Sequence, residues 1–308
     1  MFLWISSHEF FLGCLFGHFF TEKPYTNINF HIKNKENLII IVNDMFLSLP
    51  FPLINPIAVS IGPVKIYWYG LAYVIGTMLA WSYGKFLVKK YPNGIAPENI
   101  DDAVVWMLMS AVIGGRVGYI CFYEPAMIFQ NPLEMFMTWH GGMSFHGGLL
   151  GVITGSLILC YRKNIPYLRL MDIAGTSIPV ILFLGRVANF INAEMYGRVT
   201  DVSWGIIYPN GGPLPRHPSQ LYEAFFEGIV LFLLLNWCWK HTKLRNNSGR
   251  MSGLFLIGYG IFRIIIESFK EPESWVGTLT IGQLLSLPLV GLGWYLIRRS
   301  VKTCAPHA

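Results

Sequence analysis

Charged side chains are scarce in this chain, at 13% of its 308 residues, about half the share in a soluble domain. Together with a hydrophobic content of 53% and an aromatic content of 15%, that shortage excludes an ordinary water-soluble core. Short alternating segments are missing as well. Their absence argues against an outer-membrane barrel and for helices in lipid, each satisfying its own backbone. Cysteines are few. Cys14, Cys121, Cys160, Cys238 and Cys304 show no CxxC or metal spacing, which argues against a disulfide framework and a zinc site and leaves them as fillers of helix surfaces. The formal charge of +6 does not imply nucleic acid, because membrane proteins place Lys and Arg for orientation.

What is present is a series of apolar runs near the roughly 20 residues that a bilayer core requires. They cover approximately 66–88, 101–123, 143–161, 171–193, 220–239, 252–269 and 279–298. The fold expected is all-α, a polytopic bundle of seven transmembrane helices. Breakers such as Tyr91-Pro92-Asn93-Gly94 and Pro209-Asn210-Gly211-Gly212-Pro213 mark the connections. Thirteen basic residues lie at or beyond the far ends of segments one, three, five and seven: Lys85, Lys89, Lys90, Arg162, Lys163, Arg169, Lys240, Lys243, Arg245, Arg250, Arg298, Arg299 and Lys302. Only Arg198, Arg216 and Lys270 follow the even ones. That bias places the first side in the cytoplasm, with the N-terminus outside and the C-terminus inside.

Residues 45–300 are expected to form one seven-span domain with a small outward head at about 195–219, followed by a cytoplasmic tail at 301–308. Residues 1–44 fit poorly. Met1 to Phe20 is apolar but contains His8, Glu9 and His18 with no basic residues ahead of it, which argues against a signal peptide. Thr21 to Asp44 is polar and rich in Asn and Lys, a composition of disordered chain. Met45 is therefore read as the native start, and the lipobox-like Phe11-Leu12-Gly13-Cys14 as coincidence. The patterns Gly114-xxx-Gly118, Gly147-xxx-Gly151 and Gly151-xxx-Gly155 predict closely packed helices and say nothing of chemistry.

Function is carried by polar groups in the spans, where they are costly and mark a cavity or path. Arg116, Arg186 and Arg263 are the Arg or Lys residues placed inside spans. On a continuous helix Arg186, Asn189 and Ala193 share a face with Asn192 nearby, running into Glu194. Arg186 suits a lipid phosphate and equally suits an inter-helix clamp with Glu194 or another carboxylate. Tyr259, Arg263 and Glu267 share a face in segment six, as a local ion pair or a lined cavity. Glu223 and Glu227 form a like-charge pair four residues apart, so at least one requires a cation. Between paired glycines, His146 is the better candidate for proton transfer; His140 and Trp139 fit the interfacial belt, as do Tyr67, Trp68 and Tyr69.

These residues also carry a resemblance. The run Gly185-Arg186-Val187-Ala188-Asn189-Phe190-Ile191-Asn192-Ala193-Glu194-Met195-Tyr196-Gly197 resembles the signature of the prolipoprotein diacylglyceryl transferase family. Trp68-Tyr69-Gly70, the block from Gly141 to Gly148, the block from Arg216 to Glu223 and Gly258-Tyr259-Gly260-Ile261-Phe262-Arg263 resemble further blocks of that family, in its order. The likeness covers about residues 50–300. It departs at Lys270, where the family pattern often has Arg, and at His140, where an acidic residue is common.

The resemblance implies transfer of the diacylglyceryl group of phosphatidylglycerol to the lipobox cysteine thiol in a prolipoprotein signal peptide. A thioether forms and glycerol phosphate leaves, with no metal or cofactor and no nucleic-acid partner, in the bacterial inner membrane. It implies His146, Arg186, Arg263 and Glu267 as catalytic residues. His146 is the candidate base, Glu194 or Glu267 stand in reserve, and the arginines stabilise the leaving phosphate. Tyr69, Asn189, Asn192 and Tyr259 would orient the headgroup, while Glu194, Glu223 and Glu267 hold the arginines. Two other classes have less in their favour. A transporter of an anionic lipid or solute has no inverted repeat in its favour, and an intramembrane hydrolase has no GxSxG or HExxH. Intact-mass measurement of the protein from its native host is expected to give a chain beginning at Met45.

Overall fold

The computed structural model describes residues 49–299 apart from 53, 139, 140 and 273. The expectations for residues 1–44, Cys14, Met45, Trp139, His140, Cys304 and the tail at 301–308 lie outside the described residues. The chain is built on long helices: α1 (Trp68–Lys90), α2 (Pro97–Phe122), α3 (Phe145–Lys163), α4 (Tyr167–Ile191), α5 (Ser219–His241), α6 (Arg250–Glu267) and α7 (Ile281–Arg299). Six of them, all but α6, are long and apolar enough to cross a membrane, so the protein is a polytopic helical membrane protein. α6 occupies the sixth expected segment and runs 18 residues. At 18 residues it has no length to spare, so Arg250, Arg263 and Glu267 all fall within the stretch a membrane core would cover. The longer helices carry their extra charges beyond such a stretch.

α4 is the hub. It packs against α1, α5 and α6, while α2 pairs with α3 and α6 with α7. At one end the core gathers Leu87, Leu159, Leu231, Leu235, Trp239 and Met251, all nearly inaccessible. Here Asp172 of α4 supplies the cap that α6 lacks in its own sequence. Its carboxylate accepts from the backbone N–H of Gly249 (2.7 Å) and of Ser252 (2.7 Å), and from the Ser252 hydroxyl (2.8 Å). Two of the orphan donors of the α6 N-terminus are thereby satisfied from a neighbouring helix. Arg169, one turn earlier, donates to the carbonyls of Arg245 (2.5 Å) and Asn246 (3.2 Å).

At the other end, the chain between α4 and α5 forms a non-helical lobe. Its strand Ile206–Ile207 pairs in parallel with Leu49–Pro50. Single bridges join Gly197 to Lys270 and Arg216 to both Val199 and Ile206, and Arg216 meets Glu271 at 2.5 Å. The lobe is therefore tied to the segment leaving α6.

The glycine patterns do what their spacing implies. A Cβ on Gly114 of α2 would lie 2.5 Å from the Gly147 carbonyl and 2.7 Å from Gly151 Cα, and one on Gly118 2.7 Å from Gly147 Cα. The two backbones touch where side chains would hold them apart. Gly114→Leu is expected to lower stability in detergent by about 1–3 kcal/mol through overpacking. Gly291→Ala in α7, where an added Cβ meets nothing within 4 Å, is expected to raise it by roughly 0.5–1 kcal/mol. Thermal unfolding of the two variants in one detergent checks both.

Candidate functional site

The site is assembled around Glu223, whose side chain is fully buried in α5. From Ala224 to Val230 α5 widens into a π-helical stretch, a departure that proteins concentrate at functional positions. Gly228 permits it, since a Cβ there would lie 2.6 Å from Phe183 Cβ on α4. Three cations from three places converge on the Glu223 carboxylate. Arg186 of α4 brings Nε to 3.3 Å, Arg263 of α6 pairs directly with Oε1, and Lys270 beyond α6 brings Nζ to 3.1 Å of the same oxygen. Arg186 also reaches Glu227 at 3.9 Å, and Arg263 reaches Glu267 at 3.4 Å. The like-charge spacing of Glu223 and Glu227 required a cation; the structure supplies three.

Burial within this group is graded. The Glu223 and Glu227 side chains are 0% exposed, whereas those of Arg186 and Arg263 are 16% and 19% exposed. The carboxylates lie behind and the guanidinium edges in front, so the accessible face is positive. Burial pushes the Lys270 ammonium below its usual range, partly countered by Glu223. Gly282 of α7 makes room for Glu267, whose Oε2 would lie 2.7 Å from a Cβ there. Tyr259 of α6 faces Glu227, Arg263 and Arg186. On the α1 side Tyr73 stands near Arg186, and its hydroxyl lies 3.4 Å from that of Tyr69.

The amides form a second group. Asn189 and Asn192 donate to Oε1 of Glu194 at 2.8 and 3.4 Å, so Glu194 serves the asparagines and Arg186 takes its carboxylates from α5. The helical face expected through Ala193 is cut short. α4 ends at Ile191, and Ala193 and Met195 turn left-handed with φ of 54° and 55°. The turn is held by Gln220, which donates to the Glu194 carbonyl (2.5 Å), and by Ser219, which donates to that of Met195 (3.0 Å). The Asn192 amide oxygen is buried without a hydrogen-bond partner among the described residues.

His146 is not drawn into either group. It sits exposed in the first turn of α3, beside the Phe145 ring and just past the Ser144 cap. The loop leading to it is organised by Arg116, which sequence reasoning left without a role. Buried in α2, Arg116 donates to the carbonyls of Glu134, Met135 (3.1 Å), Gly141 and Gly142 (3.0 Å). Gly141 and Gly142 have φ of 85° and 78°, and a Cβ on Gly142 would lie 2.7 Å from the Arg116 guanidinium. Glu227, Lys270, Tyr73 and Gln220 were likewise absent from the expected site. For Glu227 the like-charge spacing was a signal; Gln220 sits in a block that drew notice only as a whole. Among the described residues no three His, Cys, Asp or Glu converge as a metal would require.

Fold and site together define an integral membrane protein of helices with a buried ion network presenting a cationic face. A family model described as prolipoprotein diacylglyceryl transferase matches residues 56–299, and the chain belongs to that family. It is 49% identical over 269 residues to a protein of Paramagnetospirillum magneticum, covering 86% of this chain and 100% of that one. It is 47% identical over 269 residues to one of Rhodospirillum rubrum (85% and 98% covered) and 48% identical over 257 residues to one of Rickettsia felis (82% and 99% covered). All three bear the name phosphatidylglycerol–prolipoprotein diacylglyceryl transferase.

Removing the shared acceptor tests the network. Glu223→Gln leaves Arg186, Arg263 and Lys270 facing one another without it, and is expected to cost about 3–5 kcal/mol of stability. Adding Lys270→Met should recover part of the loss, read as a higher unfolding temperature for the double variant.

Proposed function

We propose that the chain transfers the diacylglyceryl group of phosphatidylglycerol to the lipobox cysteine of a prolipoprotein, the activity for which its relatives are named. The observation that carries this reading is the positive edge of a buried network: Arg186 and Arg263 partly exposed before fully buried carboxylates. A lipid phosphodiester fits that edge, and guanidinium forks suit its oxygens. The thiol surrenders its proton, because thiolate is the nucleophile. Its sulfur attacks the glyceryl carbon bonded to phosphate oxygen, the C–O bond breaks, and its electron pair leaves with glycerol phosphate. Arg186 and Arg263 stabilise the charge that grows on that oxygen.

Glu223 and Glu267 hold the two arginines. Tyr69, Asn189, Asn192 and Tyr259 orient the headgroup, with the free amide oxygen of Asn192 as an acceptor for a glycerol hydroxyl. Glu194 fixes the asparagines. His146 remains the proton acceptor for the thiol in this reading. Its exposure supports that role, since Glu194 and Glu267 are occupied by amides and by Arg263. The bundle counts seven spans, with α6 crossing because its charges are paired inside. It lies in the inner membrane, with the basic ends of α1, α3, α5 and α7 in the cytoplasm and the lobe between α4 and α5 outside as a head. Lateral access is supported by an apolar groove of about 610 Å³ between α2 and α3, lined by Met109, Ile113, Val117, Leu150 and Thr154 and ending at Gly147 beside His146.

Purified protein with phosphatidylglycerol and a synthetic lipobox peptide is expected to add a diacylglyceryl mass to the cysteine and release glycerol phosphate. Arg186→Ala should lose both by at least about 100-fold, the scale of one electrostatic contact at a transition state. A transporter would lose flux in that variant and show no thiol lipidation at any stage.

A further inference from the structure

We infer that Glu227 takes up a proton when the site binds the phosphodiester of an anionic lipid, and so offsets the headgroup's charge inside the network. This rests on the proposed reading of the site as a phospholipid headgroup site. The argument starts from a charge count. Arg186, Arg263 and Lys270 face Glu223, Glu227 and Glu267. With every group ionised the buried network is neutral. A phosphodiester entering at the guanidinium edge brings one more negative charge into a poorly solvated place, and an uncompensated charge there is costly. Either a cation follows it in or a carboxylate becomes neutral.

The geometry selects the carboxylate. Glu223 is held by three cations, at 3.3 and 3.1 Å from Arg186 and Lys270 and in direct contact with Arg263. Glu267 has Arg263 at 3.4 Å. Among the described residues Glu227 has one ion-pair contact, Arg186 at 3.9 Å, and neither of its buried oxygens has a hydrogen-bond partner. The charged groups around it are of both signs. From α4 it meets Arg186, from its own helix Glu223, from α6 Tyr259 and Arg263, and beyond α6 Lys270. When phosphate draws the Arg186 guanidinium forward, Glu227 loses its nearest cation and keeps Glu223 as a like-charged neighbour. Protonation removes that repulsion.

The consequence is a linkage between proton and lipid. Headgroup affinity should fall as pH rises, by up to about tenfold per pH unit for one coupled proton. Glu227→Gln, permanently neutral, should bind without that pH dependence.

The test uses the unmodified full chain in detergent, weakly buffered with an indicator dye, titrated with short-chain phosphatidylglycerol. Uptake of about one proton per bound lipid is expected, with none on adding a diacylglycerol of the same chains and none in Glu227→Gln. Three results overturn the inference: binding without uptake in the unmodified protein, equal uptake with diacylglycerol, or undiminished uptake in Glu227→Gln. Should that variant fail to fold, the two lipids on the unmodified protein decide alone. Peptide lipidation is assayed on the same preparation. Transfer without proton uptake sinks this inference and leaves the function standing, whereas uptake without transfer does the reverse.

Discussion

Everything at the site depends on one carboxylate, that of Glu223, being shared among three cations that arrive from α4, α6 and the segment beyond α6. Removing six ionisable groups from water is expensive, several kcal/mol per ion even after relaxation. The arrangement is tolerable because each charge has a partner and the count closes. It is useful because it is rigid. Donors aimed in advance at a developing charge need no reorganisation when the charge appears. In the proposed reading the buried carboxylates behind Arg186 and Arg263 would perform that aiming.

The network is one of two stitches between α4 and α6. The other is the Asp172 carboxylate, which caps α6 at the opposite end. α4 and α6 run from that cap toward the site in the same direction. Fourteen residues separate Asp172 from Arg186 and eleven separate Ser252 from Arg263, about 21 and 16 Å of helix. Pinned at both ends, the two helices cannot slide relative to each other without breaking either the cap or the ion pairs. α5 enters between the ends of this frame, its π-helical stretch and Gly228 bringing Glu223 and Glu227 into reach of both arginines.

Most of the bundle was legible in the sequence, because length and apolar content report directly on what a helix needs in lipid. α6 shows the limit of that reading. Its segment was recognised, yet its 18 residues hold three charges within one span-length stretch, and pattern does not tell a lipid-facing charge from one paired inside. In the site, Arg186, Arg263 and Glu223 stood out as ionisable residues inside apolar runs. What remained hidden was pairing across helices. Arg186 turns to α5 instead of Glu194 because α4 ends at Ile191, and the left-handed residues Ala193 and Met195 carry Glu194 onto the asparagines. Nothing in the spacing of non-glycine residues announces that turn. Arg116 was missed for a similar reason: its partners are backbone carbonyls, which no sequence pattern displays.

Such a site must admit a lipid without admitting bulk water, and the graded burial of the network meets both demands. The chains of a phospholipid remain in an apolar setting of the kind the α2–α3 groove offers, where glycines thin the wall between two helices. In the proposed reading the phosphate alone would need cations, and the guanidinium edges are the part of the network left within reach. A site open to water would screen those charges; one fully closed would exclude the substrate. In the proposed reading the reaction raises the charge on the departing phosphate, and its interaction with Arg186 and Arg263 would strengthen as the C–O bond breaks. That increase, rather than ground-state binding, is what lowers a barrier.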